Sequence, residues 1–371
     1  MKSQSTKIFL CCVATIWLFF LVGDFLPISM FDKPDITFRA WEAVLSGQQF
    51  PPFLPNYTFE QRIHGDLSNL AKISELRKFR FQRFSTDQFG FRNSIFKTEK
   101  YFPIVCIGDS DMAGSSLSDD ETYTSVLEQM FDDPVYNYAP MSPLVFLGDE
   151  RFYEKKPKIL IWEAVEGTII QNNYHIYTTV PVTANIIIPD ESRRKKIISD
   201  PPPGVLTKWC QWAFHTTRWR LTGLHNPRIG YIDPIHGMIF YKKGLDLLKK
   251  SAEERGLATI VEGIARINDI CRLRGITLLY MPLPDKENIY QQWLPAPWFN
   301  KMPVTPFVCD LVSALNARGV ATISLYESFR ADAQNNTMLY FEDDTHWNSV
   351  GVNLAARKTI QKLADLWQVL K

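Results

Sequence analysis

The chain has 371 residues, 46% hydrophobic and 22% charged. Those are globular proportions, and they exclude a mostly disordered or low-complexity chain. Lys and Arg together number 41 and Asp and Glu 40, so with a net charge of +1 no basic excess drives nucleic-acid binding.

Lys2 and Lys7 precede Ile8–Gly23 (IFLCCVATIWLFFLVG), sixteen residues without a charge. As a helix that run spans about 24 Å, and carried past Asp24 to about Phe31 it approaches the ~30 Å of a hydrocarbon core. No small-x-small cleavage site follows, so residues 8–31 read as an uncleaved transmembrane signal anchor and 1–7 as a cytoplasmic tail. Positive charge before the run and Asp24, Asp32 and Asp35 after it put the rest of the chain outside the cytoplasm. Six cysteines include no CxxC pair, and no histidines stand at zinc spacing. No metal and no cofactor is therefore expected, and the four cysteines beyond the apolar run read as buried free thiols.

Residues 32–99 are Pro-punctuated and mixed, a stalk and N-terminal arm. Apolar residues at 67, 70, 73 and 76 predict a short helix within Leu67–Arg83. The main domain then runs over 100–371. YFPIVCIGDS (101–110) is a strand ending on Gly-Asp-Ser, followed by an amphipathic helix over Tyr123–Phe131. PVYNYAP (134–140) is a second strand, Leu147–Tyr153 a helix, and KPKILIWEAVEG (156–167) a third strand with its loop. This βαβαβ alternation predicts a doubly wound parallel sheet, an α/β three-layer fold of flavodoxin-like type. Residues 168–245 break the rhythm and read as an inserted segment with a β-hairpin and one amphipathic helix. Its Trp209, Trp212, Phe214 and Trp219 fit either a sugar platform or a face resting on a membrane or partner, and its charged ESRRKK (191–196) either meets anionic lipid or is simply solvated. Alternation resumes with a helix over Gly244–Arg274, split near Gly256, a strand at 275–284, a helix at Pro306–Arg318, a strand at 319–326 and a last helix over about Ser349–Val369.

Two stretches carry the chemistry. IGDSDMAG (107–114) places Ser110 on a tight turn where a strand gives way to a helix, with backbone N–H groups close by. DDTHWNSVG (343–351) offers His346 to take the Ser110 proton and Asp344 to orient the imidazole. Ser110 N–H and Ala139 N–H are the candidate oxyanion donors. Lys286 and Tyr290 follow a strand end and read as either cleft-facing or solvated. Trp347 reads as a sugar-stacking or a packing residue, and Arg92 as an anion-binding residue or an ion-pair partner. Glu163 and Glu166 shape the site, or Glu163 is merely paired near a strand end.

GDS after the first strand with D-x-H before the last helix resembles the SGNH/GDSL hydrolase superfamily. FSTDQFGFRN (84–93), MPLPDKENIY (281–290) and DDTHWNSVG (343–351) resemble the alginate O-acetyltransferase AlgX/AlgJ group within it. The resemblance covers about residues 80–365. It implies acetyl transfer to an exopolysaccharide, on the periplasmic or extracellular side of a bacterial cytoplasmic membrane. It also implies a membrane-bound O-acyltransferase partner as acetyl source. Two departures stand out. In the alginate proteins D-x-H-W precedes the serine motif, whereas here Ser110 comes first, as in ordinary SGNH hydrolases. Where that superfamily uses a Gly and an Asn as further oxyanion donors, this chain has Ala139 and the segment WEAVEG (162–167). The same residues suit a carbohydrate esterase, and a non-catalytic polysaccharide-binding subunit is the remaining alternative.

Overall fold

The computed structural model describes residues 2–25, 50–94, 97, 100–183, 205–299, 303 and 305–370. Nine strands lie among them. A hairpin pairs β1 (Thr58–Ile63) with β2 (Arg80–Ser85), antiparallel. The central sheet contains β3 (Ile104–Ile107), β4 (Val135–Asn137), β5 (Ile159–Val165), β8 (Thr277–Leu283) and β9 (Ala321–Thr322). Between β5 and β8 the chain makes a second hairpin, β6 (Ile229–Ile232) with β7 (Ile239–Tyr241).

The central sheet is parallel throughout, in the order β4-β3-β5-β8-β9. That is the doubly wound arrangement in which the chain starts inside the sheet, winds one way, then returns past its start. Its strands are apolar on both faces because helices cover both. Ile104, Cys106, Ile159, Ile161, Leu279 and Met281 pack with Tyr123 and Leu127 of the helix Tyr123–Phe131 and Ala355 and Leu363 of the helix Ser349–Leu370. Their neighbours Val105, Ile107, Leu160, Trp162, Leu278 and Tyr280 point the other way, onto Ile260, Ile264 and Ile267 of the helix Leu257–Leu273 and Leu311 of the helix Phe307–Ala317. The α/β expectation therefore holds. Gly256, at φ +77°, starts the helix Leu257–Leu273 and separates it from the short helix Lys242–Leu247. The left-handed backbone there suits glycine, and it accounts for the expected split.

Other expectations need correction. The helix sought in Leu67–Arg83 is only Asp66–Ala71; Lys72 turns left-handed (φ 53°), and from Arg80 the chain is a strand. The region read as a stalk is thus, from β1 to β2, a folded hairpin docked on the main domain. The transmembrane anchor is not supported: among the described residues no helix is long and apolar enough to cross a membrane. Residues 26–31 of the proposed span lie outside the described residues, as do Asp32, Asp35 and the ESRRKK cluster. Lys2–Phe25 is nevertheless helical, with Ile8, Phe9, Leu10 and Trp17 exposed. Within the insertion, the helices Gln171–Thr178 and Val205–Thr222 accompany the β6–β7 hairpin. All six cysteines are free, but only Cys106 and Cys271 are buried.

Candidate active site

Ser110 stands three residues past the end of β3, at the carboxyl edge of the sheet. Gly108 makes the turn possible: a Cβ there would lie 2.4 Å from Glu163 Oε2 and 2.8 Å from Met112 Cβ. Glu163, on β5, lies under the turn and accepts the Asp109 N–H at 3.2 Å. Asp109 Oδ1 in turn accepts the Asp111 N–H at 3.1 Å. Neighbouring chains diverge between β3 and β5, which opens a crevice at the strand ends. The cleft is about 400 Å³. Ser110, Asp109 and Asp111 line it after β3, Gly167 and Thr168 after β5, and Asp285, Lys286 and Glu287 after β8.

His346 arrives from the loop before the helix Ser349–Leu370. Its Nε2 is 2.8 Å from Ser110 Oγ, and its Nδ1 is 2.6 Å from Asp344 Oδ1. The three side chains singled out in the sequence therefore form one hydrogen-bonded chain. Asp344 is completed on its other oxygen, which accepts from Ser116 Oγ at 2.5 Å and from Arg80 at 2.6 Å. Arg80 also binds Asp343 at 2.9 Å and covers the Phe341 ring. Lys286 Nζ donates to three carbonyls of the same loop, those of Phe341, Glu342 and Asp344. Trp347 N–H donates to Asp111 Oδ1 at 3.1 Å, which ties the histidine loop to the serine turn.

This cluster sets its own charges. Burial disfavours the Asp344 carboxylate, but His346 and Arg80 outweigh burial and hold it well below the usual carboxylate range. Burial disfavours the His346 imidazolium, but Asp344, Asp111 and Asp66 outweigh it and raise the imidazole to about 10. Asp111 is raised to about 7, first by burial. Glu163, under the turn, is raised well above its ordinary range, by burial and then by Asp109 and Asp111. An imidazole facing Ser110 at one nitrogen and a carboxylate at the other can move a proton to and from the hydroxyl. Among the described residues, Ser110 N–H makes no hydrogen bond.

The other expected site residues fall elsewhere. Ala139 is corrected first: it is fully buried, and its N–H is taken by Asn137 Oδ1 at 3.0 Å, so it is not an oxyanion donor. Arg92 is 2% exposed and clasps the carbonyls of Arg83, Ala113, Gly114 and Leu117, with Asp119 alongside. It braces the segment after Ser110 from behind and binds no substrate anion. Tyr290 is fully buried, donating to Thr337 O and accepting from Leu339 N–H. Trp347 is fully buried and stacks on Tyr123, centroids 5.8 Å apart, so it packs and meets no sugar. Lys286 does line the cleft, yet its ammonium is engaged by the loop carbonyls, and burial lowers it. Glu166 is paired with Arg255 at 2.9 Å.

Sequence reading missed Arg80, Asp66, Asp111 and Ser116. Asp111 and Ser116 stand within a few positions of Ser110, but no spacing rule marks them. Asp66 and Arg80 lie more than 260 positions before Asp343–Thr345, which they bind. Only an alignment or a fold could join them. Oxygens of Asp66 and Asp344 and a nitrogen of His346 lie within 4.8 Å of one another, the distance condition for a cation. Both ring nitrogens already face Ser110 and Asp344, so a cation would have to break the chain of hydrogen bonds. The trio reads as a proton-sharing cluster, not a metal centre.

Comparison with known proteins bears on this geometry. Residues 239–370 match the family model described as the SGNH hydrolase-like domain of the acetyltransferase AlgX. Over those residues the chain is SGNH/AlgX-like. The matched residues carry β8, the loop with Asp344 and His346, and the last helix, but not Ser110. No curated protein matches the chain in sequence. Among solved structures, the protein YXIM of Bacillus subtilis is similar at 10% identity and a TM-score of 0.33, over 78% of this chain and 69% of that one. A second solved chain is similar at 14% identity and a TM-score of 0.32, over 72% of this chain and 99% of that one. Neither structural likeness is close enough to carry an argument.

Proposed function

We propose that the protein is an O-acyltransferase that acetylates an extracytoplasmic polysaccharide through an acetyl-Ser110 intermediate. An AlgX-like SGNH domain supports a role of acetyltransferase or esterase type. The observation that carries the finer reading is the 2.8 Å contact between His346 Nε2 and Ser110 Oγ. In the first step Ser110 Oγ attacks the acetyl carbonyl of a donor ester while His346 takes the hydroxyl proton. Ser110 N–H faces the developing oxyanion, and His346 then hands its proton to the leaving oxygen. In the second step an acceptor hydroxyl gives its proton to His346 and attacks the acetyl-serine. The acetyl group moves to the sugar oxygen, and the proton returns to Ser110 Oγ. Asp344 stays ionised throughout and stabilises the imidazolium.

Membrane attachment belongs to the same proposal. The helix Lys2–Phe25 leaves Ile8, Phe9, Leu10, Ile16 and Trp17 exposed, a surface suited to lipid. A membrane-bound O-acyltransferase supplies the acetyl group from its side of a bacterial cytoplasmic membrane.

The test is mass spectrometry of the intact protein after exposure to an activated acetyl ester. Acetylation of Ser110, lost in Ser110→Ala, is expected. An unlabelled Ser110, under conditions that label a known serine esterase, sinks the proposal. Adding oligosaccharide acceptors separates transfer from hydrolysis: acetylated sugar marks a transferase, and free acetate alone an esterase. A Ser110→Ala chain that still supports polymer acetylation in cells would reduce the protein to an accessory subunit.

A further inference from the structure

The proposed acyl transfer leaves one contact at the site without a task. Asp66 belongs to none of the strand-end loops; it comes from the crossover between β1 and β2. Its carboxylate accepts the Thr345 N–H at 2.8 Å and the Thr345 hydroxyl at 2.7 Å. Thr345 is the residue between Asp344 and His346. The hold is mutual. Gly65 N–H donates to Asp343 Oδ2 at 2.7 Å, and the N–H groups of Leu67 and Ser68 donate to Asp343 O at 3.1 and 3.0 Å. Gly65 permits this approach, since a Cβ there would lie 2.0 Å from Asp343 O. Asp66 also lines the cleft, beside His346 and Ser110.

We propose that Asp66 is a positioning residue of this site: by gripping Thr345 it aims the His346 ring at Ser110, and its carboxyl governs how firmly the ring keeps its proton. The inference rests on the acyl-transfer reading for its chemical meaning, but not for its measurement.

The charges around His346 come from every element that meets it. Asp344 is on its own loop, Asp109 and Asp111 are on the serine turn, and Asp66 is on the hairpin crossover. Arg80 on β2 is bound to Asp344, and Lys286 after β8 is bound to the loop carbonyls. Burial, and then the Asp344 charge, hold the Asp66 carboxyl up at about 7. Asp66 therefore exchanges its proton near neutrality. When ionised it favours the imidazolium; when neutral it weakens that hold and lowers the pH above which the ring is free to take a proton.

The direct test is an NMR titration of the His346 imidazole in the full chain, its signal assigned by its absence in His346→Gln. Asn at position 66 keeps the shape and can still accept the Thr345 N–H, but carries no charge. D66N is expected to lower the His346 midpoint by about one pH unit, the usual effect of a charge within ~4–6 Å, while D66E stays close to the parent. An unmoved midpoint in D66N overturns the proposal. If D66N does not fold, T345V replaces it. Without the threonine hydroxyl the Asp66 charge is less favoured, so a smaller downward shift is expected, and no shift again overturns it. The acid limb of Ser110 acetylation by p-nitrophenyl acetate should move to lower pH in D66N. A parent protein whose Ser110 is never acetylated would sink the acyl-transfer reading, yet the titration would still decide the task of Asp66.

Discussion

The two ends of the Ser110–His346 contact are built in opposite ways. Ser110 is placed by its own neighbourhood: β3 ends, Gly108 lets the chain turn over Glu163, and the Asp109 and Asp111 amides are held within the turn and against β5. His346 is placed from outside. The loop 341–347 has little regular structure, and Arg80, Asp66, Lys286 and Asp111 reach it from four separate segments. A nucleophile at a strand end is positioned mostly by local geometry, here one glycine over Glu163 with Arg92 bracing the segment behind. An acid–base partner on a loop needs side chains gathered across the fold, and those also tune its proton affinity.

The largest effects break the contact itself. Ser110→Ala and His346→Ala should each lower acyl transfer by about 10⁴-fold or more, measured as acetyl-enzyme formation or product release. Retained transfer in either would dissolve the comparison by removing one of its ends.

Next in size is Arg80→Ala. Arg80 pairs with two carboxylates that are 0% and 1% exposed at the side chain, and its loss leaves both without that cation. Breaking a buried pair from one side costs about 3–5 kcal/mol, which denaturant unfolding should register together with lost activity. If Arg80→Ala were as stable as the parent, the loop would not depend on outside support.

The two glycines sharpen the contrast. A Cβ at Gly108 meets Glu163 Oε2 at 2.4 Å, Met112 Cβ at 2.8 Å and the Glu163 backbone oxygen only at 3.0 Å, so Gly108→Ala should cost about 1–3 kcal/mol, the usual price of overpacking. A Cβ at Gly65 meets the Asp343 backbone, which cannot swing aside. Gly65→Ala should therefore disturb the histidine end from a distance, lowering the rate of Ser110 acetylation even where the fold survives.

Dependence on pH is subtler. Asp344 is held below its ordinary value, so its contribution to stability is present above about pH 4 and is lost as pH falls through its depressed value. His346 is raised to about 10, so its contribution is complete below about pH 6.5 and is lost as pH rises through about 10. The stability advantage of the parent over His346→Gln should shrink across that alkaline window; a constant difference would mean that the imidazolium is not held by its neighbours. The smallest effect expected is that of Trp347→Phe. The indole N–H has no partner and the ring stacks on Tyr123, so the substitution loses part of a buried ring but no hydrogen bond; it should cost less than the ~3–5 kcal/mol of a full truncation to Ala and leave acceptor affinity alone.

The sequence disclosed what local pattern can carry. Strand and helix alternation fixed the sheet's class, and the split at Gly256 was readable from one residue. Ser110, His346 and Asp344 were readable because GDS and DxH place their chemistry within a few positions. For Arg92 and Trp347 a binding and a structural reading stood side by side, and for Tyr290 a cleft-facing and a solvated one, because proximity to a motif says nothing of which way a side chain points. All three turn inward to backbone carbonyls, a buried turn and an aromatic stack. Asp66 and Arg80 left no trace, since their partners are joined to them only by folding. Ala139 stood where a donor was wanted, and only the structure revealed that Asn137 had already taken its N–H.

The β1–β2 hairpin has a practical consequence for anyone trimming this protein. A version begun near residue 100 would retain all five parallel strands and both helical layers, and would look whole by circular dichroism. It would lack the guanidinium and the carboxyl that steady the loop carrying the imidazole, and also Phe91 and Arg92, which pack on the sheet and brace the serine turn, so both ends of the contact would lose support.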